Sequence, residues 1–191
     1  MEFGVVTYAV IVGSFLLAGF VKGIVGLGLP TISLALLTAL LDLPTAMALL
    51  VVPAFCTNTW QGFIGGHLAL LSRRLWPLLV AVIPCVWAGV ALSDLFEIVI
   101  LTRFLGCLVV IYAALTFRSV PYSIPLPLQA WLGPLCGAIN GVLTGLTGSL
   151  FLPGVMYLQA IGLSRDQLVQ AMGLLFALST LALGISLQET G

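Results

Sequence analysis

At 191 residues, 61% hydrophobic and 6% charged, with a mean hydropathy of +1.26, the chain falls far below the roughly one-quarter charged content of a soluble domain. Six basic residues against six acidic leave no net charge, so nucleic acid is not a partner: phosphate binding needs a basic surface. The composition is that of an integral membrane protein whose surroundings are the lipid bilayer.

The opening Met-Glu-Phe-Gly lacks the positive stretch of a secretory leader, and the apolar run behind it is too long for a cleaved segment. It reads as the first span. That segment, Phe3 to Leu41, is about 39 residues, and as one helix would reach about 58 Å at about 1.5 Å per residue, twice a bilayer core. It holds the run GFVKGIVGLGLP, Gly19 to Pro30, whose glycines and proline interrupt a helix. Two arms meeting at this break, a hairpin or a re-entrant pair, resolve the excess length. Thr45 to Ile64, Leu75 to Leu92 and Ile98 to Phe117 follow, each near the roughly 20 residues of a single span. The prolines of RSVPYSIPLP, Arg118 to Pro127, suit a surface linker and divide the chain into residues 1–121 and 122–191. Leu128 to Gly162 is again too long for one span and holds the second break, GAINGVLTGLTGSLFLP, Gly137 to Pro153. Leu168 to Leu187 closes the series.

Charge placement tests the double crossing, because cytoplasmic loops collect Lys and Arg. If each long segment crosses twice, Arg73, Arg74, Arg118 and Arg165 share one side and Glu2, Asp42, Asp94 and Glu97 the other, with Arg103 misplaced. A single crossing scatters both sets. The double crossing predicts an external N-terminus and an odd number of crossings between the two breaks, so the second is entered from the opposite face. The expected fold is therefore all-α: a polytopic transmembrane helix bundle with two inverted repeats and a broken or re-entrant helix pair in each. The second repeat is expected to be incomplete, through truncation or because a neighbouring copy, as in a homodimer, supplies the missing walls.

A helix that unwinds in hydrocarbon leaves N–H and C=O groups unbonded, so such breaks belong where the chain lines a cavity or is packed in protein. Paired breaks in corresponding positions of two halves point to the binding site of a secondary transporter. Laying one break on the other sets Gly19 on Gly137, Gly23 on Gly141 and Lys22 on Asn140. The Gly-x-x-x-Gly spacing of the four glycines also fits close helix packing. Gly26, Gly28 and Pro30, with Gly145, Gly148 and Pro153, crowd into breaker clusters and are read as site-lining. Free N–H groups and the positive end of a helix dipole suit an anion. Thr31 and Ser33, and Thr144, Thr147 and Ser149, add neutral hydroxyl donors. Lys22, the only lysine, either meets substrate or extends to the interface. Thr57, Asn58 and Gln61 share a helical face that meets substrate or joins helices, and Ser179 and Thr180 occupy the corresponding later span.

Other groups have plainer readings. His67 stands in a loop as a solvated side chain, and Trp60, Trp76 and Trp131 sit near span ends, where aromatic belts form. Cys56, Cys85, Cys107 and Cys136 stand singly in apolar stretches without metal-ligand spacing, so neither a metal nor a disulfide framework is expected. No cofactor is expected, and the absence of GxxxxGK[ST] argues against direct use of ATP by this chain.

On GFVKGIVGLGLP with its following Thr-Ile-Ser-Leu, PAFCTN at Pro53 to Asn58, the second break, and RDQLVQAMGLLFALS at Arg165 to Ser179, the chain resembles the sulfite exporter TauE/SafE family. The resemblance covers nearly the whole chain. It departs from the family's GxGGG-like run, with Gly26-Leu-Gly28-Leu-Pro30 first and Gly145-Leu-Thr-Gly148 second, and members are longer. It implies movement of small anions, notably sulfite and organosulfonates, without ATP hydrolysis. The expected function is thus a secondary permease of the plasma or inner membrane, not an enzyme, working by alternating access. The substrate-binding set is Lys22, Gly26, Gly28, Pro30, Thr31, Asn58, Asn140, Thr144, Gly145, Thr147, Gly148, Ser149 and Pro153. The alternatives are a non-transporting scaffold subunit and an intramembrane hydrolase built on Ser149 and His67.

Overall fold

The computed structural model describes residues 4–26, 28–117 and 123–190. Within them run eight helices: α1 (Val5–Val25), α2 (Leu29–Leu40), α3 (Leu43–Phe63), α4 (Leu68–Ser93), α5 (Ile98–Phe117), α6 (Leu126–Thr147), α7 (Gly154–Ala160) and α8 (Arg165–Thr190). Phe3, Glu2, Leu27, Arg118 and the division at 121/122 lie outside the described residues. Five helices, α1, α3, α4, α5 and α8, are long and apolar enough to cross a bilayer, which makes this a multi-pass membrane protein. α6 has 22 residues, but its Gly, Pro, Asn and Thr content keeps it out of that group.

The segments expected as single spans coincide with α3, α4, α5 and α8. α4 starts earlier than its apolar pattern suggests, at Leu68, so Arg73 and Arg74 stand on its first turns. Leucine and arginine are good helix formers and carry the helix through this polar stretch. α3 has a well-made start: Asp42 accepts from the Thr45 N–H at 2.8 Å and from the Thr45 hydroxyl at 2.9 Å. Pro127, assigned to the linker, lies in the first turn of α6, where its missing N–H costs no hydrogen bond.

α1 stops at Gly26, whose φ of 78° only glycine adopts without a Cβ clash, and α2 begins three residues later. α6 stops in the same way at Gly148, φ 71°, and the stretch to Pro153 leads into the short α7. Between these ends the packing rests on small residues. Gly137, Gly141 and Gly145 recur every fourth residue along α6, and a Cβ on any of them would collide with backbone of α4: Leu78, Val82 and Val86 respectively. This seam lets α4 and α6 approach backbone to backbone. Gly145, expected in the break, is therefore a helix-packing residue. α3 and α8 cross similarly at Gly62 and Gly173, where added methyl groups would again meet backbone. Leu71, Leu75, Leu78, Val82 and Val86 of α4, Leu50 and Ala54 of α3, and Met172 and Leu175 of α8 fill the core between them.

Side-chain bonds fix the helix directions. Gln61, near the end of α3, donates to Gly26 O beyond α1 and to Val169 O near the start of α8. Arg74, near the start of α4, donates to Gln129 at the start of α6 and to Ile161 O just past α7. Lys22, Arg73, Arg74 and Arg165 thus gather toward one end of the bundle. Leu43, Asp94, Ile98 and Leu187 surround one hollow at the other end. It follows that α6, α7 and α8 run opposite to α1, α2 and α3.

Candidate functional site

The end of α1 brings Lys22 against the polar face of α3. Lys22 Nζ lies 3.2 Å from Thr57 Oγ1 and also donates to Asn58 Oδ1. Both partners are neutral. Asn58 is fully buried, while Lys22 and Thr57 are half-buried. The Thr57 hydroxyl is itself directed back at Pro53 O, 2.8 Å away, which leaves its lone pairs for the ammonium.

Gln61 completes the arrangement one turn on from Asn58. Its Nε2 is 3.1 Å from Gly26 O and 2.7 Å from Val169 O, so it holds the carbonyl freed at the end of α1 and ties it to α8. α8 reciprocates: Gln170 Nε2 donates to Gly62 O at 2.9 Å, and its Oε1 accepts the His67 N–H at 3.0 Å. These two glutamines fasten α3 to α8 beside the first break.

An open pocket of about 580 Å³ lies against this cluster, with Gly19, Lys22, Gly23, Thr57, Trp60 and Gln61 in its wall. Its size falls within the roughly 300–1,000 Å³ of small-molecule sites. A Cβ on Gly19 or Gly23 would meet nothing within 4 Å, so these glycines leave room at the pocket wall rather than bring helices together. The Gly26 N–H is not available to a ligand, because it donates to Lys22 O at 2.7 Å. Leu29, which opens the next helix, also borders the pocket. Gly28 is the N-cap of α2 and Pro30 stands in its first turn. Thr31 follows, half-buried, and Ser33 is buried with its hydroxyl on Leu29 O.

The second break is built differently. Asn140, Thr144, Thr147 and Ser149 are all 0% exposed. The Gly148 N–H donates to Thr144 O at 2.7 Å, the counterpart of the bond at Gly26. Asn140 Oδ1 accepts the Gly154 N–H at 3.1 Å, which fixes the start of α7 against α6. Thr144 Oγ1 lies 2.7 Å from Asn140 O and 2.9 Å from Ser149 O, and Thr147 Oγ1 returns its proton to Leu143 O. Pro153 is the N-cap of α7. Two buried polar atoms here, Asn140 Nδ2 and Ser149 Oγ, have no partner among the described residues, and Ser179 Oγ in α8 is in the same state. A serine nucleophile requires a base within hydrogen-bond reach, and Ser149 Oγ has none.

The structure therefore brings Lys22 to Asn58 across a separation of 36 residues and keeps Asn140, Thr144, Thr147, Gly148 and Ser149 in a separate sealed cluster. Sequence reasoning placed Gln61 on the right face without foreseeing its bonds to both Gly26 and Val169. Gln170 went unnoticed; its signal was an uncharged polar residue inside an apolar span, where a buried amide must find partners.

The family model described as Sulfite exporter TauE/SafE matches residues 11–191. No curated protein and no solved structure matches the chain.

Proposed function

Since the chain belongs to the sulfite exporter TauE/SafE family, we propose that it is a secondary permease of the plasma or inner membrane that carries small anions, sulfite and organosulfonates foremost. The observation that carries this reading is Lys22: a cation at a pocket wall whose partners, Thr57 and Asn58, are neutral. A charge drawn out of water needs a counter-charge, and an anion entering the pocket supplies it. The first turn of α2 adds the N–H group of Leu29, which borders the pocket and has no partner within the helix, while Pro30 has none to offer. This donor, one turn beyond Gly26, takes the role that the Gly26 N–H cannot.

In this reading α1–α3 and α6–α8 are inverted repeats, since they run in opposite senses and each carries a break after its first helix. Alternating access then requires α3 and α8 to part where Gln61 and Gln170 join them, exposing the anion to each side in turn. Anion binding releases Lys22 from Asn58 and so loosens one of the contacts that hold the break against α3.

Uptake of labelled sulfite, taurine-like sulfonates and carboxylates into liposomes holding the purified protein tests the assignment. Wild type should transport at least one sulfur oxyanion. Lys22→Met should bind it about 10- to 100-fold more weakly, the size of one charge-assisted hydrogen bond, while Lys22→Arg retains part of the activity. Wild-type flux no greater than that of empty liposomes for every anion would sink the reading.

A further inference from the structure

On the outer face of the bundle, α4 and α6 leave a groove of about 880 Å³ walled by Arg74, Trp76, Ala81, Trp131, Gly133 and Tyr157, with no acidic residue in its lining among the described residues. We propose that this groove holds an anionic phospholipid, its headgroup on Arg73 and Arg74 and one acyl chain along the apolar wall below them. The proposal is independent of the permease assignment.

Depth is the first argument. From Arg74 to the end of α4 at Ser93 is about 28 Å of helix, close to the thickness of a hydrocarbon core, so Arg74 stands at its edge. The groove descends from there to Ala81, about 10 Å into the apolar layer. Trp76 and Trp131, 60% and 80% exposed, flank its upper part at the level where indole rings favour the interface. Ala81, Ala130 and Gly133 are the small residues of its lining, and at Gly133 an added Cβ would stand 3.1 Å from the Tyr157 hydroxyl.

Charge is the second. Arg74 commits only Nη2, at 3.0 Å from Gln129 Oε1 and 2.6 Å from Ile161 O, and its Nη1 and Nε make no bond among the described residues. These bonds hold the guanidinium at the groove's mouth with donors to spare. Arg73 is exposed beside it and shares with it a shallow hollow of about 540 Å³. Two adjacent cations over an apolar trough, on the end of the bundle that gathers arginine, match a phosphate joined to an acyl chain. A helix from a second copy would cover the apolar wall but bring no obvious counter-charge to both arginines.

The test places full-length protein in phosphatidylcholine vesicles containing equal, small mole fractions of brominated phosphatidylglycerol or brominated phosphatidylcholine, and reads tryptophan quenching. Wild type should be quenched more strongly by the brominated phosphatidylglycerol, with an apparent preference of about fivefold per arginine. The preference should shrink in Arg73→Gln, vanish in Arg73→Gln/Arg74→Gln, and disappear from the signal when Trp76 and Trp131 are both phenylalanine. Ala130→Leu fills the groove while leaving the Arg74 bonds intact, so it should reduce the preference even if the double arginine variant does not fold. Equal quenching by the two lipids in wild type overturns the proposal. So does a stable dimer, seen by sedimentation in the same lipids, in which cysteines placed at position 131 cross-link the two copies.

Discussion

The helix ends at Gly26 and Gly148 are both capped by glycine, yet one opens onto a pocket and the other is shut in the core. Beside the first, Gly19 and Gly23 face open space and Lys22 reaches the neutral oxygens of α3. Beside the second, Gly137, Gly141 and Gly145 press on the backbone of α4, and the polar groups are 0% exposed. The same Gly-x-x-x-Gly spacing thus removes bulk from a pocket wall in one place and closes a helix seam in the other. The pair teaches that a small residue in a membrane helix acts through its neighbour: with a helix opposite, it is contact, and without one, it is room.

Exchanging residues between the breaks puts this difference under the greatest strain. Asn140→Lys would introduce at the second break the charge the first one carries, in a sealed site without a counter-charge. It should destabilise the protein by about 3–5 kcal/mol, read as lost monodisperse protein and a lower unfolding temperature. Lys22→Asn, the reverse exchange, should fold and lose anion flux. If Asn140→Lys folds as well as wild type, the second break is wetter than its burial implies.

The glycine seam comes next. Gly145→Val drives a side chain into Val86 and Gly89 and should cost about 3 kcal/mol, whereas Gly23→Val has free space and should stay within about 0.5 kcal/mol. Thermal unfolding of the purified pair checks both, and equal losses would erase the distinction between seam and wall. Asn140→Ala leaves the Gly154 N–H buried without its acceptor and should cost about 1–3 kcal/mol in the same assay. The smallest stability effect belongs to Ser149→Ala, which removes a buried hydroxyl that has no partner, so stability should hold or rise slightly. Its flux is the informative reading: unchanged transport confines the anion to the first break, and a selective loss brings the second into the pathway.

Much of the architecture was legible because a bilayer punishes charge and unpaired backbone so heavily. Four single spans could be bounded from hydropathy and length, and the excess length of Phe3 to Leu41 and Leu128 to Gly162 located both interruptions. Thr57, Asn58 and Gln61 could be put on one face of α3 from their spacing alone. Gly145 was misplaced because a glycine near a break and a glycine in a packed helix look alike until the partner helix is known. The Gly26 N–H was likewise offered to an anion, although the turn that ends α1 uses it for Lys22 O. Gln170 was missed because its acceptor and donor lie more than a hundred positions away, at Gly62 and His67.

Composition and segment length alone decide that this chain lives in a membrane and that its long apolar segments do not run through unbroken, since those properties follow from solvent and helix rise. Which face of α3 receives Lys22, which glycines touch backbone, and which break is sealed were decided by α4 and α8. Those outcomes depend on distances between residues far apart in the chain, and a distance of that kind comes into being only when the helices pack.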